Sequence, residues 1–192
     1  MARLLALLVA SFLVYSCKPK PIITDTDVNR LNFNSNERVV YEYKDKLSPE
    51  EVKYFANKMS VDRASITNQK LYVFVKSWEE TTYLLGGVNK NGVDCSALMQ
   101  ELYKYVYDVK LPRTSVEMYS DKRFKAVKED QPLEEGDLVF FKIKEDQPVS
   151  HVGIYLKNHK FFGASSVEGC NISSLKKNYW KQYYVGATRL KK

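Results

Sequence analysis

The stretch NGVDCSALMQELYKYV, residues 91–106, places a cysteine where turn-forming residues give way to a helical pattern. Cys95 falls in the first helical turn, where unpaired backbone N–H groups and the helix dipole favour an anion. Those conditions predict a lowered thiol pKa and a reactive thiolate. A cysteine nucleophile also needs a base, normally an imidazole. The chain has two histidines, His151 and His159. His151 opens the apolar run HVGIY, a strand pattern that can aim a ring at a neighbouring helix terminus. His159 lies in Lys157-Asn158-His159-Lys160, whose polarity predicts an exposed hairpin turn. Residue chemistry alone leaves two readings open, because cysteine and histidine beside a core are also common as structural groups.

The elements that must position these groups follow from pattern. Ser48-Pro49-Glu50-Glu51 supplies an N-cap, a proline at the first helical position and a capping-box glutamate, predicting a helix to about Met59. A second helix is expected over Gln69 to Glu79, where Leu71, Val75 and Trp78 recur at helical spacing. Ala97, Leu98, Leu102, Tyr105 and Val106 form one stripe, so the helix beginning at Cys95 packs inward to about Tyr107. Leu111-Pro112-Arg113-Thr114-Ser115 stops one element and starts a short helical turn. Strands are expected over Asp137 to Ile143, Ser150 to Leu156, Lys160 to Ala164 and Val185 to Leu190. Helices followed by a run of strands predict an α+β fold with an antiparallel sheet.

At 192 residues, 44% hydrophobic and 28% charged, the chain has an ordinary globular composition. Residues 1–16 carry one basic residue, Arg3, ahead of an apolar run shorter than a membrane span, the shape of a secretory signal. Val14-Tyr15-Ser16-Cys17 resembles the end of a bacterial lipoprotein signal, which implies acylation of Cys17 and a lipid tether to a membrane. Without residues 1–16 the formal charge falls from +7 to +6. Basic residues are interleaved with acidic ones, so nucleic acid is not an expected partner. Cys17, Cys95 and Cys170 show no recurrent spacing, so neither a zinc site nor a disulfide framework is indicated. A Cys95–Cys170 bridge would remove the free thiol that the nucleophile needs. The expected organisation is a signal over residues 1–16, a lipidated start and tether over 17–46, a helical extension over 47–76 and a catalytic domain over 77–192.

Six ordered segments carry a resemblance: Tyr83-Leu-Leu-Gly-Gly87, Asp94-Cys-Ser96, Leu111-Pro-Arg-Thr-Ser115, Gly136-Asp-Leu-Val-Phe-Phe141, His151-Val-Gly-Ile-Tyr155 and Tyr179-Trp180. Together they resemble the NlpC family of papain-like bacterial cell-wall cysteine peptidases, over roughly residues 78–190. The resemblance implies a papain-like fold with Cys95 as nucleophile and His151 as base. It implies Tyr83 near the oxyanion and substrate, and Asp94 and Ser96 at positions that bind the peptidoglycan stem peptide. Core packing for Tyr83 and helix capping for Asp94 are the competing readings. Arg113, in the Leu-Pro-Arg segment, reads as structural.

The implied reaction is cleavage between γ-linked D-glutamate and the following diamino acid by a lipid-anchored monomer at a periplasmic or cell-surface membrane, with no metal or organic cofactor. One position departs from the family, which has a polar residue, usually histidine, where this chain has Gly163. If the intervening hairpin keeps an odd loop, Gly163 and Ser165 share the face of His151, and Ser165 becomes the candidate to orient the ring. The alternatives are a catalytically silent cell-wall-binding protein of the same fold, or a papain-like amidase or acyltransferase acting on another amide.

Overall fold

The computed structural model describes residues 41–191. The signal, Cys17 and most of the tether lie outside the described residues. Helix α1 (Pro49–Met59) starts as its capping box dictates. Ser48 Oγ accepts from the Glu51 N–H, and the Glu51 carboxylate accepts from the Ser48 N–H. Helix α2 (Gln69–Trp78) is capped by Asn68, and α3 (Cys95–Tyr107) by Asp94. The short α4 (Ser115–Tyr119) carries a second capping box, between Thr114 and Glu117. A two-strand ribbon, β1 (Val88–Asn89) with β2 (Gly92–Val93), precedes α3.

The main sheet contains β3 (Phe124–Ala126), β4 (Leu138–Phe141), β5 (His151–Tyr155), β6 (Lys160–Ser165), β7 (Gly169–Ser174) and β8 (Tyr184–Leu190). They stand in the order β3-β8-β4-β5-β6-β7, every pair antiparallel. Helix α5 (Asn178–Tyr183) connects β7 to β8. The α+β antiparallel expectation therefore matches, with the β1–β2 ribbon, β3, β7 and α5 as elements the sequence pattern did not mark.

Period-two alternation gives the sheet two working faces. Leu138, Phe140, Val152, Ile154, Phe162, Ala164, Cys170 and Ile172 join the helices in the large core, with Phe55, Leu71, Trp78 and Leu98 wholly buried there. Val139, Phe141, Tyr155, Phe161 and Ala187 face the other way and close a smaller cluster around Trp180.

Helices α1 and α2 share the large core, and no boundary falls at residue 76: the described residues belong to one compact unit. The helical extension expected over 47–76 is thus part of the domain. The tether expected to reach residue 46 also ends earlier. Tyr43 packs against Tyr105 with ring centroids 4.1 Å apart, and its hydroxyl accepts from Trp78 Nε1 at 3.0 Å. Ring contacts of Tyr41 with Trp78 and of Tyr43 with Phe74 and Tyr105 tie the segment to the helices.

Candidate active site

The β5–β6 turn fixes which residues share a face with His151. Asn158 and His159 both have positive φ inside a turn closed by the Lys160 N–H on Lys157 O, and the Leu156 N–H bonds Lys160 O, so the loop is the odd, three-residue one, 157–159. His159 is exposed at its tip, as its polar surroundings predict. Ile154 pairs with Phe162 and Tyr155 with Phe161. Carried along the strands at period two, this register puts Gly153, Gly163 and Ser165 on the His151 face.

His151 is 5% exposed, its ring stacked on Trp180 at 5.1 Å between centroids and tilted against Phe141 at 5.7 Å. Burial among these rings pushes its pKa down to about 4. Its Nε2 is buried with no hydrogen-bond partner among the described residues. Ser165, expected to orient the ring, does not: its hydroxyl accepts from the Glu168 N–H at 3.1 Å instead. The β6–β7 turn competes for that oxygen and holds it.

Cys95 is 8% exposed at the first position of α3, which packs on the opposite face from His151. Its sulfur lies against the backbone N–H of Val152, the residue after His151, so helix start and strand start converge. The N–H groups of Val152, Ser96 and Cys95 itself favour the thiolate, while burial opposes it more strongly and Asp94 adds repulsion. The thiol pKa is pushed up to about 11, opposite to the lowering expected from helix position alone. Three donors and a helix dipole do not compensate for removing the anion from water. The resting pair is a thiol and a neutral imidazole. Cys170 is the other free, buried cysteine among the described residues, so no Cys95–Cys170 disulfide forms.

Asp94 caps α3, the competing reading of that residue, and with Ser96 it takes part in a hydrogen-bonded hub. The Asp94 carboxylate accepts from Ala97 N–H at 2.7 Å, Ser96 Oγ at 2.9 Å and Gly86 N–H at 3.1 Å. Arg113 adds a fork, Nη1 to Oδ1 at 3.1 Å and Nη2 to Oδ2 at 2.6 Å, while Nη1 also donates to Ser96 Oγ at 2.8 Å. Five donors fill the carboxylate and hold its pKa below the ordinary value despite burial. Asp94 thus locks the loop at Gly86, the start of α3 and Arg113 into one hub beneath Cys95. The structural reading of Arg113 holds. Its partner was not legible because 19 residues separate the two.

Tyr83 is held by backbone pairing on both sides. It bridges Val93, and the preceding residues hydrogen-bond the edge of β7 through Glu80 N to Cys170 O at 3.0 Å and Cys170 N to Thr81 O at 2.9 Å. The close approach requires glycine at 169, where φ is +65° and a Cβ would come within 2.7 Å of Thr81 O. Burial raises the Tyr83 pKa, with Cys95 and Asp94 adding to the shift, so its hydroxyl stays protonated as a donor.

Tyr83 and His151 both line a cavity of about 340 Å³, completed by Ser165, Glu168, Lys177 and Trp180 among others. A buried thiol at a helix start, an imidazole at a strand start and a phenol donor at a shared cavity make up the working parts for acyl transfer.

The NlpC/P60 family model matches residues 80–189. The chain belongs to the NlpC/P60 family. It is 36% identical over 136 residues to the probable endopeptidase NlpC homolog of Haemophilus influenzae, an alignment covering 70% of each chain. It is 37% identical over 113 residues to MepS of Escherichia coli, named a murein DD-endopeptidase and murein LD-carboxypeptidase, covering 59% of this chain and 57% of that one. An NlpC/P60 protein from Bacillus cereus superposes with a TM-score of 0.55 at 26% identity, covering 63% of this chain and 39% of the other. A lipoprotein-like member from Staphylococcus aureus gives 0.55 at 23%, covering 79% and 45%, and shares the fold. Helices α1 and α2 precede the residues matched by the NlpC/P60 model.

Proposed function

We propose that this protein is a cysteine endopeptidase that hydrolyses peptidoglycan, cutting the stem peptide between γ-linked D-glutamate and the following diamino acid. The observation that carries the reading is that the Cys95 sulfur lies against the Val152 N–H, next to His151, and adds to the burial that raises the pKa of Tyr83, in a chain whose relatives include named murein endopeptidases.

Because the resting pair is neutral, His151 takes the thiol proton as Cys95 Sγ attacks the scissile carbonyl carbon. The resulting oxyanion is stabilised by N–H groups at the start of α3 and by the Tyr83 hydroxyl. Collapse breaks the C–N bond, and the imidazolium returns its proton to the leaving amine, giving a thioester on Cys95. Water then attacks the thioester with His151 as base, releasing the new carboxylate and the thiol.

A second reading is supported by the unpartnered Nε2 of His151: a cell-wall-binding protein of this fold with weak or absent turnover. Incubating the mature protein with purified peptidoglycan and with a γ-glutamyl-diamino-acid peptide separates the two. Cleavage by the wild type and none by Cys95→Ala is the expected result. Binding without cleavage by either protein would leave only the second reading.

The basic start, apolar run and Cys17 support export and lipid anchoring on a bacterial membrane. Membrane fractionation should find the wild type with the membrane and Cys17→Ala released from it. Equal retention would remove the anchor from the proposal.

A further inference from the structure

The cavity beside His151 carries charged groups that the acyl-transfer chemistry leaves unused. Lys144, Glu168 and Lys177 line it, together with the apolar walls of Tyr83, Tyr179 and Trp180. Glu168 projects from the β6–β7 turn. One of its carboxylate oxygens accepts from Asn171 Nδ2 at 2.6 Å, and the other faces Lys177 Nζ at 3.6 Å. At that separation the two groups attract without a formed hydrogen bond, and both side chains are about half exposed, so the pair is weak and exchangeable. The Lys144 backbone N–H donates to Ser150 Oγ, while its ammonium has no hydrogen bond or ion pair among the described residues and the residue is exposed at the cavity rim. With His151 neutral, the two ammonium groups outnumber the single carboxylate, and the local charge suits one anionic group.

The chemistry fixes which part of a substrate would lie there. The base that protonates the leaving amine must stand on the leaving-group side of the scissile bond. A cavity walled by His151 therefore receives the residue that departs, the diamino acid.

We infer that this cavity is a carboxylate subsite, in which Lys177 and Lys144 read a free carboxylate on the leaving diamino acid and select against the same residue as its carboxamide. The inference rests on the reading that Cys95 and His151 cut a stem peptide. Glu168 holds Lys177 in the empty site and gives it up to the incoming anion. It is thus a competitor of the substrate and not a contact for it.

Two γ-glutamyl-diamino-acid peptides, identical except for a carboxylate or a carboxamide on the diamino acid, provide the test. The wild type should show a kcat/KM ratio favouring the acid by roughly three- to tenfold. The ratio should fall towards one in the Lys144→Met/Lys177→Met double variant. Glu168→Gln, which removes the competing anion, should lower KM for the acid peptide. A ratio unchanged in the double variant, with cleavage intact, would overturn the subsite and leave the peptidase reading standing. If the wild type cuts neither peptide, the peptidase reading fails. Calorimetric binding of the same two peptides to the Cys95→Ala protein then decides the subsite alone. Tighter binding of the acid, lost on removing both lysines, upholds it, and equal binding of acid and amide ends it.

Discussion

A Cβ placed on Gly163 would stand 3.6 Å from Nε2 of His151. The same atom would lie 3.5 Å from Val152 O and 3.6 Å from Gly153 Cα, all ordinary contact distances, and Gly163 is not in the left-handed region. A side chain is therefore admissible at the one position aimed at the unpartnered nitrogen. Fixing the tautomer and orientation of a catalytic imidazole is worth orders of magnitude in hydrolases of this kind. Gly163→His should raise kcat on the stem peptide by about tenfold or more, with KM little changed. An unchanged or lower rate would mean that another group holds His151 in the complex.

Burial of His151 makes a pH prediction whose sign is fixed. The unfolded chain protonates this group below about 6.5, the folded chain only below about 4. Between those values unfolding takes up a proton, so stability is fully present above pH 6.5, falls as pH drops towards 4, and levels off below. The contribution is about 3 kcal/mol over the window. Urea unfolding of wild type and His151→Leu at pH 7 and pH 4.5 isolates it, because other acid-sensitive groups cancel in the difference. Identical pH slopes in the two proteins would refute the account.

The Arg113 fork on Asp94 predicts a stability loss that turns on charge. Arg113→Met leaves a buried carboxylate with three uncharged donors and should cost about 1–3 kcal/mol, since half of the guanidinium faces water and its loss is partly screened. Adding Asp94→Asn should restore part of the loss by neutralising the stranded charge. Thermal unfolding of the three variants reads the coupling, and strict additivity would show that the fork contributes no more than packing.

The fold was legible wherever local chemistry decides it. Ser48 with Glu51 fixes the start of α1 whatever lies around it, and the apolar run HVGIY fits a strand buried on both faces. Cys95 and His151 were legible for the same reason, since each sits at an element boundary that the sequence marks. The tie of Asp94 and Ser96 to Arg113 was not legible because that partner comes from a loop 17–19 residues away, a pairing that no local pattern encodes. The thiol pKa was misjudged because helix position can be read from sequence whereas burial depends on β5 and β6 closing over it. Ser165 was placed on the correct face, yet Glu168 N–H, three residues on, takes its oxygen. Strand β7 escaped notice because Gly169-Cys-Asn-Ile-Ser-Ser174 has neither strict alternation nor strong strand formers along its whole length.

The contact between Gly169 and Thr81 sets the gauge of the cleft. The segment bearing Tyr83 is stitched to β7 by two backbone hydrogen bonds, and β7 is paired through six residues to β6, whose end carries Ser165. Both Tyr83 and Ser165 thus hang from a single strand pair, so a side chain at Gly169 that pushed Thr81 away would shift one against the other and reshape the cavity they line.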